Sequence, residues 1–586
     1  MCGIVGLMSL DGSAPPADLI DRMAEAIAHR GPDGRGDYRQ GDLAMAQMRL
    51  AIIDLKTGDQ PLYEPGGAAL VANGEIYNYV ELREDMPDTA FATASDCEPP
   101  LHLFRREGMA FLDRLRGMYT IALHDPVDGR LLLARDPFGI KPLYLTRTER
   151  FFAFASEPRA FFAAGLLAPK IAPVPLGEML QLQFTTGEET PFAGVSRLRP
   201  GEALIVSQGR VVERRTRPAL PAGPPRAIGE DEALAELDRI FLDSVAVHQR
   251  SDVPYGMFLS GGVDSSALLA AMARLNERSV RAFTIGFPDT AVADERAHAR
   301  AVARAAGAEH VEVAFDEADF WSLLPKVAAA MDDPAADYAV LPTYKLAREA
   351  AREVKVILSG EGGDEMFGGY GRYRSAMRPW WIGGRGMRIR GIFDRLEVLR
   401  DDSGRWRDGF AAAEMTAGHG GRTRLQAAQA TDIADWLPND LLLKLDRCLM
   451  AHAVEGRTPF LDSRVADFAL RLPDRLKVRD GKGKWLLRRW LEKNLPEAEP
   501  FSPKRGFTVP VGEWIARRGG ELGPLVARQP GVVEVCRPGA VERLFRAGGK
   551  REGFAAWTLL FYALWHRHHI ERAGTAEGDA FEVLAS

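Results

Sequence analysis

The 586-residue chain has only four cysteines, Cys2, Cys97, Cys448 and Cys536, scattered and without a CxxC pair. That scarcity excludes a disulfide framework and a thiolate zinc site. No apolar run reaches the roughly 18 residues that a bilayer span needs. The N-terminus has no basic segment followed by an apolar stretch, so it does not read as a signal peptide. Nor is there an excess of positive charge: the formal net charge is -6, which gives no electrostatic footprint for nucleic acid. The expectation is a cytoplasmic, soluble protein with neither a membrane nor a nucleic-acid partner. Its oligomeric state stays open, a homodimer included.

What is present is an ordinary globular mixture, 46% hydrophobic and 27% charged. A stretch rich in Pro, Gly and Ala, TRPALPAGPPRAIGE at 216–230, reads as a linker. It divides residues 2–215 from 231–572, with a C-terminal tail at 573–586 that reads as frayed. Before the linker come short apolar runs set off by turn residues: GIVGLM, LAMAQMRLAIID, AALVANGEIYN, MYTIALHD, RLLLARD, FFAFASE, EMLQLQF and EALIVS. That density of strands predicts a mainly antiparallel α+β unit. After the linker, candidate strands at 255–262, 281–287, 309–315 and 354–365 alternate with helical stretches at 265–275, 294–306 and 341–353. This is the pattern of an α/β doubly wound parallel sheet, which binds ligands beyond the carboxyl ends of its strands. The Arg-, Gly- and Trp-rich stretch 371–431 reads as a variable helical region with solvated basic faces.

Cys2 follows the initiator Met. With Met1 removed, its α-amine would titrate near pH 7.7–8.0 and could serve as base for its own thiol. Arg49 offers a fork for a carboxylate. Asn73 and Gly74, at a strand end, offer an amide N–H and a closely approaching backbone N–H for an oxyanion. Asp96 could hold an ammonium. Together these suit an amino acid whose side-chain carbonyl is attacked by a thiol, and glutamine fits. In the second half, Ser260-Gly261-Gly262-Val263-Asp264-Ser265-Ser266 lies between a strand and a helix and forms an anion site. It lacks the lysine of a Walker A loop. A second glycine-rich cluster, Ser359-Gly360-Glu361-Gly362-Gly363-Asp364-Glu365, ends another strand. Asp264 and Asp364 are the candidate magnesium ligands.

The segments MCGIVG, HRGPDG, RLAIID, NGEIYN, SDCE and RDPFGIKPLY resemble the class II glutamine amidotransferase domain. The resemblance implies the four-layer αββα fold of N-terminal nucleophile hydrolases and ammonia release from glutamine through a Cys2 thioester. It extends the glutamine site over Leu50, Ala51, Ile52, Ile53 and Glu75. SGGVDSS resembles the loop of ATP pyrophosphatases, which implies ATP as substrate, pyrophosphate on the loop and AMP as activating group. Both motifs in this order, with LLKLDRCLMAHAVEGRTPFLD, GKWLLRR and KRGFTVPVGEW, resemble the asparagine synthetases over nearly the whole chain. That implies an adenine pocket lined by Phe258 (often Leu in the family) and Ile285, with nucleotide contacts from Ser359 and Gly360. It also implies Glu361 as a base for ammonia attack, Lys484 as stabiliser of the acyl-adenylate, and aspartate as acceptor. The stretch after Gly371 departs from the family pattern, so another carboxylate acceptor remains an alternative.

Overall fold

The computed structural model describes residues 2–288, 290, 295–401, 405–503, 509–573 and 576–586. Met1, Asp294 and the first five residues of KRGFTVPVGEW lie outside the described residues. Two six-stranded sheets and one five-stranded sheet organise the chain.

The first sheet comprises β1 (Gly3–Ser9), β2 (Gly34–Gln40), β3 (Leu43–Arg49), β8 (Tyr144–Arg147), β9 (Phe151–Ala155) and β10 (Val195–Arg197), in the order β10-β8-β9-β1-β3-β2. The second comprises β4 (Leu62–Tyr63), β5 (Ala69–Ile76), β6 (Gly117–Asp125), β7 (Arg130–Arg135), β11 (Glu202–Ser207) and β12 (Arg210–Thr216), in the order β12-β11-β7-β6-β5-β4. Both are antiparallel. β1 shows why its sequence is apolar throughout. Ile4 and Met8 pack with Val71, Ala122 and Leu133 of the facing sheet. Val5 and Leu7, on the opposite face, pack with Ile20, Met23 and Ala24 of the helix Ala17–Ala26. Side chains alternate along a strand, so a strand buried on both faces reads as a continuous apolar run. The other face of the second sheet is covered by the helix Glu98–Glu107. The layers are therefore helix, sheet, sheet, helix.

The third sheet is parallel: β13 (Tyr255–Phe258), β14 (Arg281–Gly286), β15 (Glu309–Ala314), β16 (Val356–Leu358) and β17 (Glu455–Arg457), in the order β15-β14-β13-β16-β17. Helices Val263–Leu275, Arg296–Ala305 and Val340–Ala350 connect its strands. The fold is thus an αββα unit followed by an α/β parallel-sheet unit with a helical C-terminal part.

Three readings of the sequence need correction, and one strand was not foreseen. EMLQLQF is not a strand: Pro173–Leu182 is a helix opened by Pro173, and Leu176, Met179 and Leu180 form its buried stripe at helical spacing. β17 lies inside VEGRTPFLD, too short for periodicity to reveal. The tail is not frayed. Asp579 caps the helix Ala580–Ala585 with a capping box, and Phe581 packs on Trp321 with ring centres 4.8 Å apart. The 371–431 stretch does not simply present its cations to water, since Arg372 and Arg388 turn onto aromatic rings.

The halves meet across a buried ion network. Arg30 donates to Glu157 at 2.8 Å and to both oxygens of Asp446 at 2.8 and 3.0 Å, and none of the three side chains is more than 1% exposed. Arg447 continues the chain to Asp332 at 2.7 Å. Arg197 forks onto Asp333 with both contacts at 2.7 Å. Removing one member of a buried pair leaves an uncompensated charge at a cost of roughly 3–5 kcal/mol. Asp446→Ala is expected to lower stability by about that amount in urea unfolding, whereas a change in the exposed Arg22–Asp18 pair should move it by well under ~1 kcal/mol.

Candidate active sites

Cys2 precedes β1 and Asn73 lies on β5 of the facing sheet, so the sandwich itself brings them together. The Cys2 N–H donates to Asn73 Oδ1 at 3.2 Å. Asn73 is fully buried, and its Nδ2 has no hydrogen-bond partner. An orphaned buried amide N–H is costly, and here it is the donor that an oxyanion would need. The neighbouring Gly74 is required by space: a Cβ there would lie 2.1 Å from the Met118 carbonyl oxygen. Burial pushes the Cys2 thiol above its usual range, so attack requires a base. The Cys2 sulfur lies 4.0 Å from the Leu50 carbonyl oxygen.

Arg49 donates to Asp59 at 2.6 Å and to the Asp54 carbonyl. Along the same loop, Ala51 N–H donates to Asp33, and the Ile52 carbonyl accepts from Asp252 N–H. Ile53 is half-buried. Asp96 is buried and accepts from the Ile76 N–H at 2.7 Å. Burial, with the nearby Glu455 charge, raises it to about 6 against the Ile76 hydrogen bond and the Arg457 charge. Glu75 is raised by burial and by the Glu455 and Asp96 charges, and lies 3.5 Å from Arg457.

Three contributors carry no role in the sequence reading. Arg30, inside HRGPDG, donates to the Cys2 carbonyl at 3.2 Å. Glu455 and Arg457 reach this pocket from β17 of the other half, bonded to each other through Arg457 Nε. The motifs containing them were visible, but only the fold shows which way they face.

The second site forms where β13 and β16 run side by side and their loops meet beyond the carboxyl edge. Lys484 Nζ lies 2.5 Å from Asp264 and 2.7 Å from Asp364. The two carboxylates hold the Lys484 ammonium above its usual range against burial. Lys484 itself has φ of 59°, a left-handed conformation that costs a non-glycine residue about 1–3 kcal/mol. Close approach dictates the glycines here. A Cβ on Gly363 would meet Asp264 Cγ at 2.5 Å, and one on Gly369 would meet Asp364 Oδ1 at 1.8 Å.

Gly261 adopts φ of 70°. Gly262 precedes the helix Val263–Leu275, and Gly262 N–H donates to Ser260 Oγ at 3.3 Å. Ser265 Oγ lies 3.0 Å from Ser260 Oγ, and Ser266 is buried. Phe258 ends β13, and the buried Ile285 sits near the end of β14. Ser359 N–H donates to the Arg457 carbonyl at 2.8 Å, and Gly360 packs on Asp264. Glu361 is raised by burial, opposed by Lys444, whose Nζ is 3.9 Å away. Lys444 is another residue without a role in the sequence reading.

Two family models match the chain: asparagine synthase over residues 236–567 and glutamine amidotransferase domain over residues 1–216. The chain belongs to the asparagine synthase family. It is 32% identical to glutamine-hydrolysing asparagine synthetase 1 of Bacillus subtilis, across 98% of this chain and 97% of that protein. It is 34% identical to a putative glutamine-hydrolysing asparagine synthetase of Mycobacterium tuberculosis, across 98% of both.

For this member of the asparagine synthase family, Asn73→Ala is expected to lower glutaminase kcat by about 10²–10³-fold, measured as glutamate release. Asp96 is ionised above about 6 and protonated below. If it holds the glutamine ammonium, glutaminase kcat/KM falls as pH drops through about 6. A profile that stays flat down to pH 5 would exclude that role.

Proposed function

We propose that this chain makes asparagine from aspartate, ATP and glutamine. What carries the reading is that relatives named as glutamine-hydrolysing asparagine synthetases align with 98% of it. The geometry supports the assignment of roles. With Met1 removed, the Cys2 α-amine takes the thiol proton, and sulfur attacks the glutamine side-chain carbonyl. Asn73 Nδ2 and the Gly74 N–H hold the oxyanion. Arg49 takes the α-carboxylate, with Asp59 giving way, and Asp96 takes the α-ammonium. Ammonia leaves, and water hydrolyses the thioester to glutamate.

In the second half, residues 231–572 act as one synthetase unit. The aspartate side-chain carboxylate attacks the α-phosphorus of ATP, and pyrophosphate leaves over the Ser260–Ser266 loop. Phe258 and Ile285 flank the adenine, while Ser359 and Gly360 contact the nucleotide through backbone groups. Ammonia then attacks the β-aspartyl-AMP carbonyl, AMP leaves, and Glu361, its pKa raised by burial, takes the proton. Raised basicity suits that step. Lys484 stabilises negative charge on the adenylate. Asp264 and Asp364 converge on one cationic point, which fits the carboxylate pair that magnesium uses together with phosphate oxygens. Magnesium bound there would supply positive charge against the departing pyrophosphate. Ammonia crosses the domain interface without entering bulk water, which spares it protonation and spares the adenylate hydrolysis. Working on small molecules alone, the protein is assigned to the cytoplasm.

The test is product analysis with ¹⁵N-amide glutamine, aspartate, ATP and magnesium. Labelled asparagine with one AMP and one pyrophosphate is expected. Glutamate release without labelled asparagine would refute aspartate as acceptor. Cys2→Ala should abolish glutamine-dependent synthesis and spare synthesis from ammonium. Lys484→Ala should do the reverse, losing synthesis while glutamate release continues.

A further inference from the structure

Near the loops Ser260–Ser266 and Ser359–Glu365, Arg388 has no carboxylate partner among the described residues. Arg388 holds a left-handed backbone, φ 46°, which its surroundings must impose. Its guanidinium carbon lies 5.0 Å from the ring centres of both Phe184 and Trp436. Its Nε–H is buried and donates to nothing. On the same indole, Trp436 Nε1 donates to Asp440 Oδ2 at 2.7 Å. The other oxygen, Asp440 Oδ1, is buried and accepts nothing. Arg388 and Asp440 are close enough to influence each other's charge, yet among the described residues they form no ion pair. A buried donor and a buried acceptor of opposite charge are thus both left without a hydrogen-bond partner, within range of each other's charge. Native structures seldom tolerate either one without a ligand to complete it.

The pair adjoins the reaction centre through two connections. Asp440 stands four residues before Lys444, the spacing of one helical face, and Lys444 Nζ lies 2.7 Å from Asp337 and 3.9 Å from Glu361. Tyr370 packs on Trp436 with ring centres 5.0 Å apart, and its hydroxyl donates to Glu365 of the Ser359–Glu365 loop at 2.8 Å. The neighbouring cations are already engaged. Arg372 pairs with Asp432 at 2.7 Å and Lys444 with Asp337. Arg388 has only aromatic faces.

We propose that Arg388 and Asp440 form the head-group clamp for the acceptor amino acid, Arg388 taking its α-carboxylate and Asp440 its α-ammonium. The assignment rests on the reading that the acceptor is aspartate. It explains how a side-chain carboxylate is presented to Glu361 and Lys484 while the α-carboxylate is kept from adenylation. A guanidinium fork matches a carboxylate. Burial lifts Asp440 to about 7, so an arriving ammonium favours its ionised form. The Arg- and Trp-rich stretch 371–431 then supplies the carboxylate-binding half of the acceptor site.

The test uses the full-length enzyme with ATP, magnesium, aspartate and ammonium as nitrogen source, so that the glutaminase is bypassed, with AMP release as the readout. Arg388→Met, which keeps the apolar stem, is expected to raise the aspartate KM at least about ten-fold, the order of one charge-assisted contact. The KM for ATP and the separate glutaminase rate should stay unchanged, the latter also reporting that the variant is folded. Arg388→Lys should recover part of the loss. Asp440→Asn should raise the aspartate KM and shrink the preference for aspartate over succinate, which lacks the ammonium. An aspartate KM within about two-fold of the parent in both Arg388→Met and Asp440→Asn would overturn the clamp. So would a fall in kcat at constant KM, which would mark a packing role. If the parent enzyme makes no asparagine, the aspartate reading fails by itself. The clamp then stands if the acceptor found by screening is another α-amino acid whose KM responds to Arg388→Met, and falls if it is not.

Discussion

Arg30 is the side chain on which the relation between the two halves depends. Its guanidinium is wholly buried and uses its donors on the Cys2 carbonyl, Glu157 and two oxygens of Asp446. Taking a guanidinium and two carboxylates out of water costs several kcal/mol per ion, and only well-formed contacts recover it. Such a network adds little net stability, but it tolerates almost no displacement. Any shift between the halves that broke the Asp446 contacts would strand charge in the interior. The segment bearing Asp446, the helix Leu442–Met450, also bears Lys444 beside Glu361. One helix therefore fixes Cys2 of the first site relative to Glu361 of the second.

Charge balance governs the second site as well. Two loops ending adjacent parallel strands bring Asp264 and Asp364 together, a repulsive arrangement without a cation. Lys484 supplies that cation from a distant helix start, at the expense of a left-handed backbone. The glycines around it follow from this crowding, since Gly363 and Gly369 leave no room for a Cβ beside Asp264, Asp364 or Lys484. Glycine-rich loops are usually read as phosphate cradles. Here part of the requirement is the approach of the two loops to each other.

The sequence made legible whatever is local. Both glycine-rich loops, the strand before each and the thiol at position 2 are contiguous features, and their chemistry follows from residue type. Alternation also disclosed the strands that bury one face or both. It failed at Pro173–Leu182 because Glu-Met-Leu-Gln-Leu-Gln satisfies a period of two nearly as well as a helical stripe. It failed at β17 because three residues carry no period. Arg388 was illegible for a different reason. An arginine in a basic stretch looks solvated, and nothing in the stretch 371–431 announces that Phe184 and Trp436, from sequence positions far apart, will both pack near its guanidinium. A half-buried cation seated against aromatic rings is a property of tertiary structure alone.

Arg457 shows how closely the two chemistries are joined. Its carbonyl accepts from the N–H of Ser359, the first residue of the second glycine-rich loop. Its guanidinium bonds Glu455 and lies 3.5 Å from Glu75, two residues beyond the orphaned amide of Asn73. The contacts from the Ser359–Glu365 loop to the strand bearing Asn73 therefore pass through the backbone and side chain of one fully buried residue. Packed interiors do not deform continuously. The short β17, which looks incidental in the sheet, thus contributes a residue that touches both the glycine-rich loop and the thiol pocket, and its packing leaves little room for either to shift alone.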